Sequence, residues 1–345
     1  MTPHRRGRLS FRITAASLGL ALAAIAGETL FRLVERRVGR IGLYAEAQIA
    51  RSSSIWTYSA DPELVYEHRA NYVREGIRLT ESHGILRDRD VSERADPDVF
   101  RVAVVGDSIA AALYLARGDG FGERLEGLLN GSSTAARYEV LNFSVNGYGA
   151  GQEARVVESR VSRFAPRLVV IAYCMNDPGT SLTPRVWFEN VRRPMGSHAL
   201  EWTLNLLHIR RIAPELPDLV PMQGPDRERS DYWPRLYRRD GAAWQRVEAA
   251  FDREAASAKA IAAPVLVVVF PLLIEGWDRV PMVREMHAQV GGAAERRGWT
   301  TIDLLDAYKR RRIGELRQSE RDIYHPTALG HQIAADAVAA RIATR

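Results

Sequence analysis

The sequence predicts an α/β fold built on a five-stranded parallel sheet, and three observations carry that expectation. Five short apolar runs read as strands: Arg101–Val105, Tyr138–Phe143, Arg167–Tyr173, Pro264–Phe270 and Trp299–Asp303. Helix-period patterns separate them, notably at Gly151–Phe164, Ala242–Ala262, Val283–Arg297 and Thr327–Ile342. Each of the first three runs ends in glycine or polar residues, which puts chemistry at the carboxyl edge, where open α/β sheets bind their ligands. Alternating strands and helices imply parallel crossovers, and the expected strand order is 2-1-3-4-5.

Ahead of this pattern, Arg5, Arg6, Arg8 and Arg12 precede an uncharged apolar run from Ile13 to Gly27. A basic tail followed by such a run is the pattern of an export signal. The run is shorter than the ~20 residues a spanning helix prefers. Leu30, Phe31, Leu33 and Val34 lengthen it, at the cost of including Glu28 and Arg32. Ala24-Ile25-Ala26 also resembles a signal-peptidase site. Residues 1–12 are therefore expected as a cytoplasmic basic tail and 13–34 as a retained transmembrane anchor, because the helical pattern continues past Ala26. Cleavage after Ala26 is the alternative, and a buried amphipathic helix in a cytosolic protein is a third. The domain beyond would lie outside a bacterial inner membrane, periplasmic when anchored and secreted when cleaved.

Residues 35–98 form a polar N-terminal extension, with a helix-like Glu35–Ala50 and a Tyr-rich stretch around Trp56 to Tyr72. Residues 99–345 hold the α/β domain. From 178 to 240 its rhythm stops. Leu200, Leu204, Leu206, Leu207, Ile209 and Ile212 recur at roughly helical spacing, and Pro214, Pro217, Pro221 and Pro225 then break the chain. A connection this long is a lid-like insertion or a helix packed on the domain.

Composition excludes several classes. Hydrophobic residues make up 46% of the chain, ample for a core, and the formal charge is +6. Lys259 and Lys309 are the only lysines, so the arginine excess reads as a coding bias. Lys309-Arg310-Arg311-Arg312 falls on a helix and reads as a solvated face. No aromatic-studded basic groove is present, and no nucleic-acid partner is expected. The single cysteine, Cys174, forms no internal disulfide and reads as a small buried apolar residue. Without His-x-x-x-His or clustered Cys/His spacing, no metal or other cofactor is expected.

The chemistry begins at Gly106-Asp107-Ser108, directly after the first strand. The second strand runs into Ser144-Val145-Asn146-Gly147-Tyr148-Gly149 and the third into Cys174-Met175-Asn176-Asp177-Pro178. Far downstream stands Asp322-Ile323-Tyr324-His325-Pro326, with acid and imidazole three apart, a spacing that shares one face of a turn. A serine hydroxyl needs a base to take its proton. His325 suits because imidazole titrates near neutrality, and Asp322 would hold its tautomer. The amides of Ser108 and Gly147, with the side-chain amide of Asn176, supply three donors for a developing oxyanion. Other readings remain for each residue. Ser108 suits a helix N-cap, Asn176 and Asp177 suit a turn, and Asp322 with His325 suits a capping pair. His83, His198, His208, His287 and His331 read as packing or surface histidines.

These four blocks resemble the SGNH, or GDSL-type, hydrolase family of esterases and lipases, over roughly residues 100–345. The resemblance implies a flavodoxin-like three-layer α/β/α fold, a shallow site and hydrolysis of acyl esters, often on sugars or lipids. It matches Ser108 to the nucleophile, Gly147 and Asn176 to the middle blocks, and Asp322 and His325 to the last. Glu81–Arg87 resembles a pre-strand element of membrane-anchored bacterial relatives. The chain departs from the family at Ile109, at Cys174 where glycine is common, and in lacking a glycine within Ile109–Ala112. The expected function is a serine esterase acting on acyl, foremost acetyl, esters of a carbohydrate or lipid through an acyl-enzyme on Ser108. An O-acyltransferase with the same triad on an exported glycan, and a non-catalytic binding module on this fold, are the alternatives.

Overall fold

The computed structural model describes residues 3–38, 55–132, 137–181, 232–276, 280–320 and 322–344, with a few positions between 197 and 220. The chain divides into two compact units, residues 1–54 with 183–214, and residues 55–182 with 215–345. In the first unit one helix, α1 (Pro3–Val38), runs without interruption through Ala26 and Gly27. Its segment Thr14–Val34 has a mean hydropathy of 1.5 and none of it is buried, so it is long and apolar enough to cross a membrane. Glu28 is not left bare. It accepts from the Ser197 hydroxyl at 2.8 Å and the Ala199 amide at 3.0 Å. Of the helix expected over Glu35–Ala50, residues 35–38 close α1 and the rest lies outside the described residues.

The second unit is organised by five parallel strands: β1 (Val99–Gly106), β2 (Arg137–Asn142), β3 (Leu168–Cys174), β4 (Val265–Phe270) and β5 (Thr300–Asp303). Their spatial order is β5-β4-β3-β1-β2, the expected 2-1-3-4-5. Every residue of β3 and β4 is buried, which is why both read as continuous apolar runs rather than alternating ones. Val104 faces Val170, and Val267 faces Ile171, so branched side chains fill the centre of the sheet.

Helices that accompany the sheet include α2 (Ser108–Ala111), α3 (Phe121–Ser132), α4 (Ala150–Ser159), α5 (Ala242–Ala260), α6 (Pro281–Glu295) and α7 (Ala328–Ala343). α3 packs with α7, while α4 packs with α5 and α5 with α6, giving the two outer layers. The expected Gly151–Phe164 helix divides into α4 and a 3₁₀ turn at Val161–Phe164. α3 is a helix that periodicity alone did not reveal, since Gly122, Gly127 and Asn130 dilute the pattern. It forms because Phe121, Leu125 and Leu129, four apart, are buried together.

Residues 55–98 belong to the same unit. Trp56–Tyr58 pairs antiparallel with Tyr66–His68, and Val73–Arg74 with Ile77–Arg78. Arg87 is buried and bonds Glu126 of α3 at 2.7 Å and the Val140 carbonyl of β2 at 2.8 Å. In the 178–240 stretch, Thr180–Ser181 pairs in parallel with Leu219–Val220, and Tyr232–Leu236 is helical. Leu204, Leu206, Leu207, Ile209, Ile212 and the four prolines lie outside the described residues.

Candidate functional site

β1 ends at Gly106, where a Cβ would stand 2.9 Å from the Ala172 carbonyl oxygen, so glycine is required for the turn. Asp107 then caps α2, its Oδ1 accepting from the Ile109 amide at 2.9 Å. The cap is therefore the acid and not Ser108, contrary to the capping reading of that serine. Its hydroxyl is free for other work. α2 closes at Ala112, left-handed at φ 51°, with the Ala112 amide bonded to the Ser108 carbonyl.

The Ser108 Oγ lies 2.9 Å from His325 Nε2 and a longer 3.4 Å from Asp107 Oδ2. His325 Nδ1 stands 2.9 Å from Asp322 Oδ2 and 3.1 Å from Oδ1. A carboxylate only accepts, so Nδ1 carries the proton and Nε2 is left to accept from the serine hydroxyl. Asp322 and His325 meet in a bend rather than on a helical turn. Asp322 Oδ1 accepts from the Tyr324 and His325 amides, both at 3.0 Å, and α7 begins only at Ala328. Partial burial raises the Asp322 carboxyl, but the bond to His325, its charge and these two amides outweigh it, holding the group below its ordinary value. The loop is pinned by the Leu273 amide to the Ile323 carbonyl at 2.8 Å and by Gln318 Nε2 to the Pro326 carbonyl at 2.9 Å.

Gly147 follows β2 at φ 80°, a left-handed conformation that favours glycine. Asn176 follows β3, and its Nδ2 donates to Asp107 Oδ2 at 3.1 Å while its Oδ1 contacts Cys174 Sγ. That orientation is chemically sound, with the amide N–H on a carboxylate and the amide oxygen on a thiol. The second Nδ2 hydrogen remains available. Burial raises Asp107, offset in part by the Ile109 and Asn176 bonds. Asp177 takes the Cys174 amide on Oδ2 at 2.8 Å, and burial with the charges of Glu153 and Asp107 raises its carboxyl well above normal. Ser108, His325 and Asp322 are thus joined in one relay, and Asn176 reaches it through Asp107.

Asp107, Cys174 and Asp177 bring ligand atoms within 4.8 Å of one another. Burial pushes the Cys174 thiol well up, so it stays protonated, and the carboxylates are engaged by amides. These residues fit a hydrogen-bonded floor better than a cation site.

One residue that the sequence did not flag touches the relay, and it joins His331 to it. Tyr114 packs edge-on against the His325 ring, centroids 4.7 Å apart, and its hydroxyl meets His331 Nε2 at 2.7 Å. His331 Nδ1 accepts the Phe121 amide at 3.0 Å. His331 is therefore a packing histidine with defined partners, and burial, with Arg124 and His325, lowers it to about 3. No local spacing announces this set, because its members lie some 210 residues apart. His287 is buried against Asp303 at 2.7 Å, and the exposed His83 meets the buried Glu81 at 2.9 Å. His198 and His208 lie outside the described residues.

No curated protein matches the chain. Solved structures that align with the chain include TesA, at 18% identity and TM-score 0.44, over 69% of this chain and 95% of that one. The acetylxylan esterase Axe2 from Geobacillus stearothermophilus aligns at 17% identity and TM-score 0.43, over 70% and 93%. The acetyl xylan esterase AlAXEase aligns at 16% and 0.44, over 70% and 99%. The stretch 104–333, from the end of β1 into α7, matches the GDSL-like lipase/acylhydrolase family and spans well over half of the chain, so this protein belongs to that family of ester-bond hydrolases.

Proposed function

We propose that the protein is a serine esterase that cleaves acyl esters of a carbohydrate or lipid through an acyl-enzyme on Ser108. The observation that carries the reading is the continuous relay from Ser108 Oγ to His325 Nε2 and from His325 Nδ1 to Asp322, 2.9 Å at each step. The Ser108 oxygen adds to the ester carbonyl as its proton passes to Nε2. The resulting tetrahedral oxyanion is met by the Ser108 and Gly147 amides and by the free N–H of Asn176. Collapse releases the alcohol, which takes the proton from His325. Water activated by the same imidazole then releases the acid. Asp322, held as a carboxylate, stabilises the imidazolium that forms twice per turnover.

Acetyl is the simplest acyl group within this chemistry and the one to test first. α1 is read as an anchor with Arg5, Arg6, Arg8 and Arg12 cytoplasmic and the esterase outside, which places exported, envelope-associated esters within reach. Ser108→Ala should fold as the parent does and lose at least ~10³-fold in p-nitrophenyl acetate hydrolysis. Unchanged turnover in the purified variant would reject the assignment.

A further inference from the structure

We propose that Tyr66, brought in by the N-terminal extension, is a positioning residue that aims the Gly147 N–H at the reacting carbonyl. The inference rests on the oxyanion role given to Gly147 above. The Tyr66 hydroxyl donates to the Asn146 carbonyl at 2.8 Å. That carbonyl and the Gly147 N–H belong to one planar peptide and point in opposite directions, so holding the oxygen holds the N–H. The constraint matters at this position. Glycine at φ 80° has little backbone preference of its own, and the turn closed by the Tyr148 amide on the Val145 carbonyl at 3.1 Å leaves its central peptide able to flip unless that peptide's own carbonyl is held. A hydrogen bond to the carbonyl also polarises the peptide and strengthens its N–H as a donor.

The other side of Gly147 is tied to the same residue. The Tyr148 hydroxyl donates to the Tyr66 carbonyl, and the two rings meet edge-on with centroids 5.2 Å apart. Tyr66 is 1% exposed. Its phenol is raised well above the usual value by burial, then by Tyr148 and Asp107, so it stays a donor at any working pH.

The backbone that delivers Tyr66 is strained. Val65 has φ 66°, an outlier for a β-branched residue, and the Tyr66 amide bonds the Leu64 carbonyl at 2.7 Å across it. Strain of this kind persists where surrounding structure over-determines it. Here the turn is fastened to α4 by Gln152 Nε2 on the Leu64 carbonyl at 2.8 Å and by Arg155 on Asp61 at 2.6 Å. Just beyond α4, Arg160 adds an ion pair to Glu67. The extension is thus built to seat one hydroxyl against one peptide of the site.

The test compares full-length protein with Tyr66→Phe, which keeps the ring against Tyr148 and removes only the hydroxyl. With p-nitrophenyl acetate, kcat should fall about 10-fold, less than the loss of a whole donor. KM should be unchanged, because ground-state binding does not use the oxyanion donors. Affinity for a phenylboronic acid, which forms a tetrahedral adduct on the serine, should fall by the same factor. An unchanged kcat, or a fall in kcat with boronate affinity intact, overturns the proposal. Should Tyr66→Phe fail to fold, 3-fluorotyrosine at position 66 replaces it. Its more acidic hydroxyl donates more strongly and should raise kcat, and no change overturns the role. Ser108→Ala, run alongside, separates the two readings. An inactive Ser108→Ala with a fully active Tyr66→Phe removes only the Tyr66 role, whereas an active Ser108→Ala removes the esterase reading and this one with it.

Discussion

Asp107 and Asp322 are both carboxylates within reach of the same site, yet their surroundings push them apart. Asp107 is buried and its carboxyl is raised, while Asp322 is partly exposed, bonded by His325 and two amides, and held below its ordinary value. A depressed carboxyl remains ionised as pH falls through the usual carboxylate range, and its stabilising contribution disappears only in more acid solution. Asp322 is therefore expected to stay charged across the usual carboxylate range, and protonation of this acid should not limit kcat/KM there. Asp322→Asn keeps the bend by leaving its amide oxygen on the Tyr324 and His325 amides, which turns its NH2 toward Nδ1 and favours the wrong imidazole tautomer, so kcat should drop about 10²–10⁴-fold. His325→Ala, which removes the base itself, should lose more. The check is kcat/KM against pH for the parent and both variants. Near-normal activity of His325→Ala at neutral pH would overturn the relay.

At the scale of elements, α1 is the piece whose fate the leader sequence left open between anchor and cleaved signal. The helix crosses Ala24-Ile25-Ala26 and Gly27 without a break. Thr14–Val34 spans about 30 Å at 1.5 Å per residue, the thickness of a hydrocarbon core. Full-length protein should stay with membranes after carbonate washing, with its amino terminus intact by mass spectrometry. A soluble chain beginning at Gly27 would show cleavage instead. Other elements show how tertiary contacts override local pattern. The base loop was expected on a helical turn, yet Asp322 bonds its own loop's amides and bends the chain before α7. α3 forms from a glycine-diluted segment because it packs between α7 and β2, with Phe121, Leu125 and Leu129 buried.

Across the whole molecule, buried titratable groups set opposing trends of stability with pH. His331 and His68 are lowered to about 3, chiefly by burial. The unfolded chain binds protons on these rings below about 6.5, so their contribution is intact above that pH and declines as pH falls toward about 3. Glu254 behaves in the other sense. Burial raises its carboxyl well above normal, with Arg297 and Arg253 only partly offsetting it. It holds its proton where the unfolded chain has lost one, so its contribution is full below about pH 4.3 and is lost as pH rises through its folded value. Glu254→Gln, neutral at every pH, should raise Tm at pH 8 by about 2–4 °C, the shift that ~1 kcal/mol produces in a domain of this size. At pH 4 it should change little. Equal shifts at both values, measured by calorimetry, would rule out this account.

The sequence by itself determined the sheet and most of the relay. Strands buried on both faces must be apolar throughout, so β3 and β4 were legible within one or two residues, and with them the strand ends that carry Ser108, Gly147 and Asn176. Asp322 and His325 were legible because three-residue spacing is a local signal. What the tertiary structure decided rests on contacts with no local period. Asp107 rather than Ser108 became the cap, because only the folded chain sets Ser108 Oγ against a histidine 217 residues away. Tyr66 reaches Asn146 across 80 residues, and His331 reaches Phe121 across 210. Periodicity records which face of an element is buried, not which distant atom it meets, and these pairings exist only once the chain is folded.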